Sequence, residues 1–120
     1  MRFLIGFLLA LTLLHSPAWA DERILKFTSD AQVNVDASVD VTETIEIVAE
    51  GAQIKRGILR DFPTIYKDRN GLRVVAGFDV TSVRRDGQAE NYAVESISNG
   101  KRIRIGSADA FLEHGLHIYE

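Results

Sequence analysis

The sequence predicts an all-β domain, an immunoglobulin-like antiparallel β-sandwich, preceded by a signal-peptide helix. Three observations carry that expectation. Apolar and polar residues alternate from Val33 to Ala49, with Glu43 and Val48 the exceptions. Turn dipeptides (Asn70-Gly71, Asp86-Gly87 and Asn99-Gly100) punctuate the rest at short intervals. No stretch past Ala20 keeps a helical period for as long as about ten residues.

The leader is read first. Arg2 supplies a positive start, Phe3 to Leu14 is an almost unbroken apolar run, and His15-Ser16-Pro17 ends it. Ala18-Trp19-Ala20 then offers small residues to a peptidase, and Asp21-Glu22 opens the mature chain. Charge, short apolar run and small-residue exit fall in the order of a cleaved secretory signal. Spanning a bilayer core takes roughly 20 apolar residues, more than this run holds. Met1 to Ala20 is therefore expected to be a signal peptide, and Asp21 to Glu120 one β domain. The mature chain is therefore expected outside the cytoplasm.

Strands follow in order. Arg23 to Thr28 reads as the first. In the next run Val33, Val35, Ala37, Val39, Val41, Ile45, Ile47 and Ala49 are all odd-numbered, while Asn34, Asp36, Ser38, Asp40, Thr42, Thr44 and Glu46 between them are polar. One face should meet a core and the other water. A turn near Asp36-Ala37-Ser38 should divide the run into a hairpin, since one strand of that length would be unusual. Arg73 to Val83 should be a strand with Val74, Ala76, Phe78 and Val80 on one side. Tyr92 to Ile97 and Lys101 to Ile105 should form a hairpin about Asn99-Gly100, with Ile103 and Ile105 inward and Arg102 and Arg104 outward. Gly51 to Asp68 keeps neither period, and Pro63 cannot donate a ladder bond, so it reads as an ordered crossover holding at most one short strand. Phe111 to Gly115 turns into a final strand, Leu116 to Tyr119. The sandwich is thus expected to lack its last strand or strands, which would leave an unpaired edge.

Composition narrows the function classes. The net charge of −3 becomes one unit more negative without Arg2, which speaks against nucleic acid or anionic lipid as partner. There is no cysteine, so stability must come from packing, and thiol catalysis and cysteine-based zinc sites are excluded.

Four stretches, Glu22-Arg23-Ile24-Leu25, Val39-Asp40-Val41-Thr42-Glu43-Thr44-Ile45, Arg56-Gly57-Ile58-Leu59-Arg60-Asp61-Phe62-Pro63 and Gly100 to Gly106, together resemble the N-terminal domain of the bacterial family catalogued as domain of unknown function 2207. The third stretch is the most specific. The resemblance covers essentially all of the mature chain. It implies an exported β-rich domain that family members follow with transmembrane helices and a low-complexity tail. This sequence ends before any such helix, so membrane attachment would require an uncleaved leader or a longer parent protein. The resemblance implies architecture and no chemistry.

Candidate sites are few. Arg56 and Arg60 could grip a carboxylate or phosphate, or with Asp61 form a network pinning the crossover. Phe62 and Tyr66 read as anchors of the same segment. His114 and His117, three apart on a strand, would face opposite sides; they read as surface or turn histidines, with no metal expected. Asp36, Asp40, Glu43, Glu46 and Glu50 read as a solvated face. No nucleophile elbow, Ser-x-x-Lys or phosphate loop is present, so no catalytic residue and no cofactor is expected. The leading expectation is a non-catalytic ectodomain of the cell envelope that binds a protein or envelope partner. The runners-up are a saccharide- or peptide-binding module using Arg56, Arg60, Asp61, Tyr66 and Tyr92, and a fragment of a longer membrane protein.

Overall fold

In the computed structural model, residues 22–120 are described; the expected signal peptide, Met1 to Ala20, lies outside them. The described residues form β1 (Arg23–Val33), β2 (Val39–Ala49), β3 (Gly57–Pro63), β4 (Ile65–Lys67), β5 (Arg73–Val75), β6 (Arg84–Arg85), β7 (Gln88–Ala89), β8 (Tyr92–Ile97), β9 (Gly100–Gly106) and β10 (Gly115–Tyr119). No helix occurs among them, and every strand pair is antiparallel. The all-β expectation holds.

One sheet runs β1-β2-β10-β6-β7, a second β3-β9-β8, and a third is the β4-β5 hairpin. The first two share one core. Ile45, Ile47 and Ala49 of β2 and Tyr119 of β10 pack with Ile103 and Ile105 of β9, and Val83 and Leu112 complete the buried set. Ile58 and Phe62 of β3, with Ile54, Phe78 and Val80, flank it. Odd-numbered residues of β2 and of β9 face inward because side chains alternate along a strand.

The first hairpin is longer than expected. Arg23 to Val33 is one strand rather than a short strand followed by half of another, broken only by a register shift between Ile24 and Lys26. Its turn is Asn34 to Ser38, with Asn34 N–H donating to Ser38 O at 2.8 Å and Ala37 N–H to Asn34 O at 3.0 Å. Ala37 takes φ 69°, and the Asp36 carboxylate accepts from both the N–H and the hydroxyl of Ser38. That local bonding is what lets a non-glycine residue hold the left-handed region. The expected core face also fades along the hairpin. Ile47 is 1 % exposed, whereas Val41 is 50 % and Val33 73 % exposed.

Three further expectations change. Arg73 to Val83 is a strand only to Val75, and the rest runs as an irregular segment that still buries Val83. The crossover region holds two strands, β3 and β4. Pro63 is tolerated because it closes β3, an edge strand of its sheet. The Asn99-Gly100 turn sits one residue earlier, since Ile97 pairs with Gly100 and Ser98-Asn99 make the corner. The expected strand from Leu116 to Tyr119 is present within β10. β10 lies between β2 and β6, and its residue Tyr119 pairs with both Ile45 and Arg85.

Tyr119 is 1 % exposed, and its hydroxyl has no hydrogen-bond partner. Burial pushes its pKa up to about 12. A buried donor without a partner costs its desolvation, so Tyr119→Phe should stabilise the domain by about 1 kcal/mol. A shift of the urea midpoint in the opposite direction would show that the hydroxyl has a partner in solution.

Candidate functional site

The grouping of Arg56, Arg60 and Asp61 dissolves once β3 is a strand. Residues paired across a ladder share a face, so the rows of the β3-β9-β8 sheet can be read directly. Ile58, Ile105 and Tyr92 form one inner row, and Arg60, Ile103 and Val94 the next. Asp61, Arg102 and Glu95 form an outer row. Arg60 and Asp61 are neighbours in sequence and lie on opposite faces.

Each charged group then takes its own partner. Arg60 grips Glu43 of β2 with both donors, Nε to Oε2 at 2.7 Å and Nη2 to Oε1 at 2.6 Å. Its guanidinium also lies 4.3 Å from the Phe62 ring centroid and 5.5 Å from that of Phe27. The Glu43 hydrogen bond is the main reason the Arg60 pKa is raised, outweighing partial desolvation. This pair joins the two sheets where their shared core ends. Asp61 is held instead by Arg102, at 2.7 and 2.8 Å, which draws its pKa down. Arg56 lies over the ring of Phe111 at 4.5 Å, a cation–π contact. Tyr66 is 55 % exposed on the separate β4-β5 hairpin, and Tyr92 is 41 % exposed two strands away from Arg60. The five expected binding residues are therefore not brought to one place. Phe62 does anchor its segment, packing against Phe78 at 5.1 Å between centroids.

Three sites escaped the sequence reading. Glu43 was grouped with solvated carboxylates, yet its side chain is 13 % exposed and bound to Arg60. Its odd number had already placed it on the inward face. The second is Glu22, whose carboxylate accepts backbone N–H bonds from Glu50, Ala52, Gln53 and Ile54 at 2.6–3.1 Å. Desolvation opposes its charge, but these four donors overcome it and lower its pKa to about 2. The bond clasps the start of β1 to the loop after β2. No local pattern announces a contact between segments so far apart in the chain.

The third is His117, which is buried rather than on the surface. Its Nδ1 lies 2.7 Å from Asp86 Oδ2 and its Nε2 2.7 Å from the Glu113 carbonyl. Asp86 Oδ1 accepts the Ile118 N–H. Burial raises the Asp86 pKa, but the Ile118 N–H and His117 outweigh it with help from Arg85, so the net shift is downward. Asp86 and Gly87 hold φ 53° and 80° in the β6-β7 turn, the paired left-handed geometry expected of Asp-Gly. The turn thereby aims its carboxylate back at β10.

Carboxylates with lowered pKa contribute stability that is present above their unfolded values and lost as pH falls through the folded ones. Glu22, Asp61, Asp86, Glu90 and Glu95 all shift that way. The thermal midpoint should therefore drop steadily as pH falls from about 4.5 toward 2. Glu22→Gln should flatten the lowest part of that profile, and an unchanged acid limb would remove Glu22 from the account.

Two shallow concavities exist near these groups, one lined by Lys55, Arg56, Arg104 and Ser107 among others, the second by Arg85, Asp86, Glu90 and Glu113. Arg85, Asp86 and Glu90 of the second are already paired with one another or with His117. Among the described residues, no group of three His, Asp or Glu is placed to hold a metal ion, and no helix is long and apolar enough to cross a membrane.

These features define a small antiparallel domain of two sheets around one core, with ion pairs such as Arg60–Glu43 and Arg102–Asp61 joining its strands. The chain belongs to the family described as "Predicted membrane protein (DUF2207) N-terminal domain", which matches residues 23–120. It is similar to the "Uncharacterized protein YciQ" of Escherichia coli (strain K12), 28% identical over 100 residues. That match covers 83% of this chain and 16% of the relative, so the chain spans about a sixth of the relative's length. No solved structure matches.

Proposed function

We propose that this chain is a non-catalytic ectodomain of the bacterial cell envelope, exported by the signal at Met1 to Ala20, that acts as an immunoglobulin-like interaction module. The observation carrying the reading is the β1-β2 hairpin. Ladder partners put Phe27 with Ile45, Ala31 with Val41 and Val33 with Val39 on the core-facing side. Past the Arg60–Glu43 pair none of the described residues covers that side, and Val33, Val39 and Val41 are each at least half exposed. The other side carries Lys26, Thr28, Asp30, Asp40, Thr42 and Thr44. An amphipathic hairpin with an open apolar face and a free edge is a recurring place for a partner to dock. The two sheets around one core support the immunoglobulin-like description, and the family's membrane character supports the extracytoplasmic setting.

The saccharide or peptide reading needs free arginines beside exposed aromatic rings. Arg60 is committed to Glu43, and neither exposed tyrosine stands in its row, so that reading is left with Arg56 and the exposed ring of Phe111.

The test is site-directed photo-crosslinking in intact cells, with a crosslinking residue at Val33 or Val41 and, as the opposite-face control, at Thr42 or Thr44. Adducts from the first pair alone are expected. Adducts from both faces, or from neither, would defeat the reading.

A further inference from the structure

We infer that the partner met by the free edge of β1 is a second copy of this chain, paired antiparallel about a two-fold axis at Thr28. This rests on the interaction reading above and specifies its partner.

β1 ends its sheet, all eleven of its residues are exposed, and it is one of the two longest strands in the fold. Such an edge presents unpaired backbone donors and acceptors along its length. Two features guard it. The register shift at Leu25 interrupts its regular pairing geometry, and Lys26 puts a charge on it. Those same features select a register. Residues up to Leu25 are out of step with those after it, which confines a regular ladder to Lys26 through Val33 and the same residues of the second copy.

Keeping the apolar face on one side requires that paired residues share parity. A two-fold axis can then fall on any residue of that stretch. At Lys26 it opposes two lysines, and at Asp30 two aspartates; like charges directly opposite are destabilising. At Phe27 or Ser29 it leaves both charges facing uncharged or apolar residues. At Thr28 alone it sets Lys26 against Asp30 of the second copy, twice by symmetry, with Thr28 against Thr28 between them. Neither Lys26 nor Asp30 takes part in an ion pair among the described residues, so both are available. On the other face, Phe27 comes diagonal to Ala31 of the second copy, within reach of an aromatic ring. Lys26 thus excludes strands that bring no carboxylate and admits its own copy.

The absence of cysteine makes the geometry directly testable in the full chain, expressed with its own leader. Paired residues of an antiparallel ladder have Cα atoms about 4.5–5.5 Å apart, inside disulfide range. Thr28→Cys should therefore give a disulfide-linked dimer on a non-reducing gel, while Thr44→Cys, on the interior strand beside it, should not. In sedimentation of the exported product, the wild type should be dimeric. Lys26→Asp or Asp30→Lys alone should weaken association about tenfold, and the double swap should restore it.

Equal weakening in the double swap, or crosslinking from Thr44→Cys as strongly as from Thr28→Cys, would overturn this register. A monomeric wild type would overturn self-pairing altogether. Face-selective crosslinking from Val33 and Val41 in that same monomeric protein would leave the interaction reading standing with another partner.

Discussion

Gly106→Val is expected to abolish cooperative folding, or to lower the urea midpoint by an amount equivalent to about 3–5 kcal/mol. Gly106 closes β9 opposite Gly57 of β3, and its φ is 121°. A Cβ there would stand 2.1 Å from the Arg56 carbonyl oxygen, a rigid backbone atom. Relief requires the two strands to part at the end of the ladder that carries Ile58 and Ile105 into the core. Gly77 supplies the control, since a Cβ there meets nothing within 4 Å. Gly77→Ala should leave the midpoint within about 0.5 kcal/mol. Circular dichroism during urea unfolding of both variants checks the pair, and equal midpoints would mean the β3-β9 contact yields more readily than its geometry implies.

The second large effect separates the base of the first hairpin from its tip. Ile47→Ala removes a side chain 1 % exposed at the centre of the shared core and should cost about 3–4 kcal/mol in lost transfer energy and cavity. Val41→Ala, on the same strand and face, should cost less than about 0.5 kcal/mol, because Val41 is already half in water. Matching losses at the two positions would show that the tip is covered in solution.

That contrast also marks how far the sequence could be read. Alternation from Val33 to Ala49 identified the correct face throughout, because parity is a property of the strand itself. It could not say where the opposing sheet stops, since coverage of Val39 and Val41 depends on how far β3 and β9 reach. Tyr92 to Ile97 and Lys101 to Ile105 were legible because each carries its own period and a nearby turn. Arg73 to Val83 was overextended. Phe78 and Val80 do pack against the core, but past Val75 no strand lies alongside to pair its backbone. The candidate site was the least legible part. Treating Gly57 to Pro63 as loop hid the parity rule that sends Arg60 and Asp61 to opposite faces. The partners of these residues, Glu43 and Arg102, are distant in the chain and become visible only once the strand order is known.

The position of β10 between β2 and β6 has a kinetic consequence. As the chain is made from its N-terminus, the β1-β2 hairpin can zip at once from its local turn, yet the inner flank of β2 waits for Gly115–Tyr119. Docking that late segment closes a loop of most of the domain, the kind of distant contact that slows folding. Until then the side chains of Ile45, Ile47 and Ala49 stand open to holdases and proteases. The yield of native protein should accordingly follow the race between arrival of that segment and capture of the waiting strand.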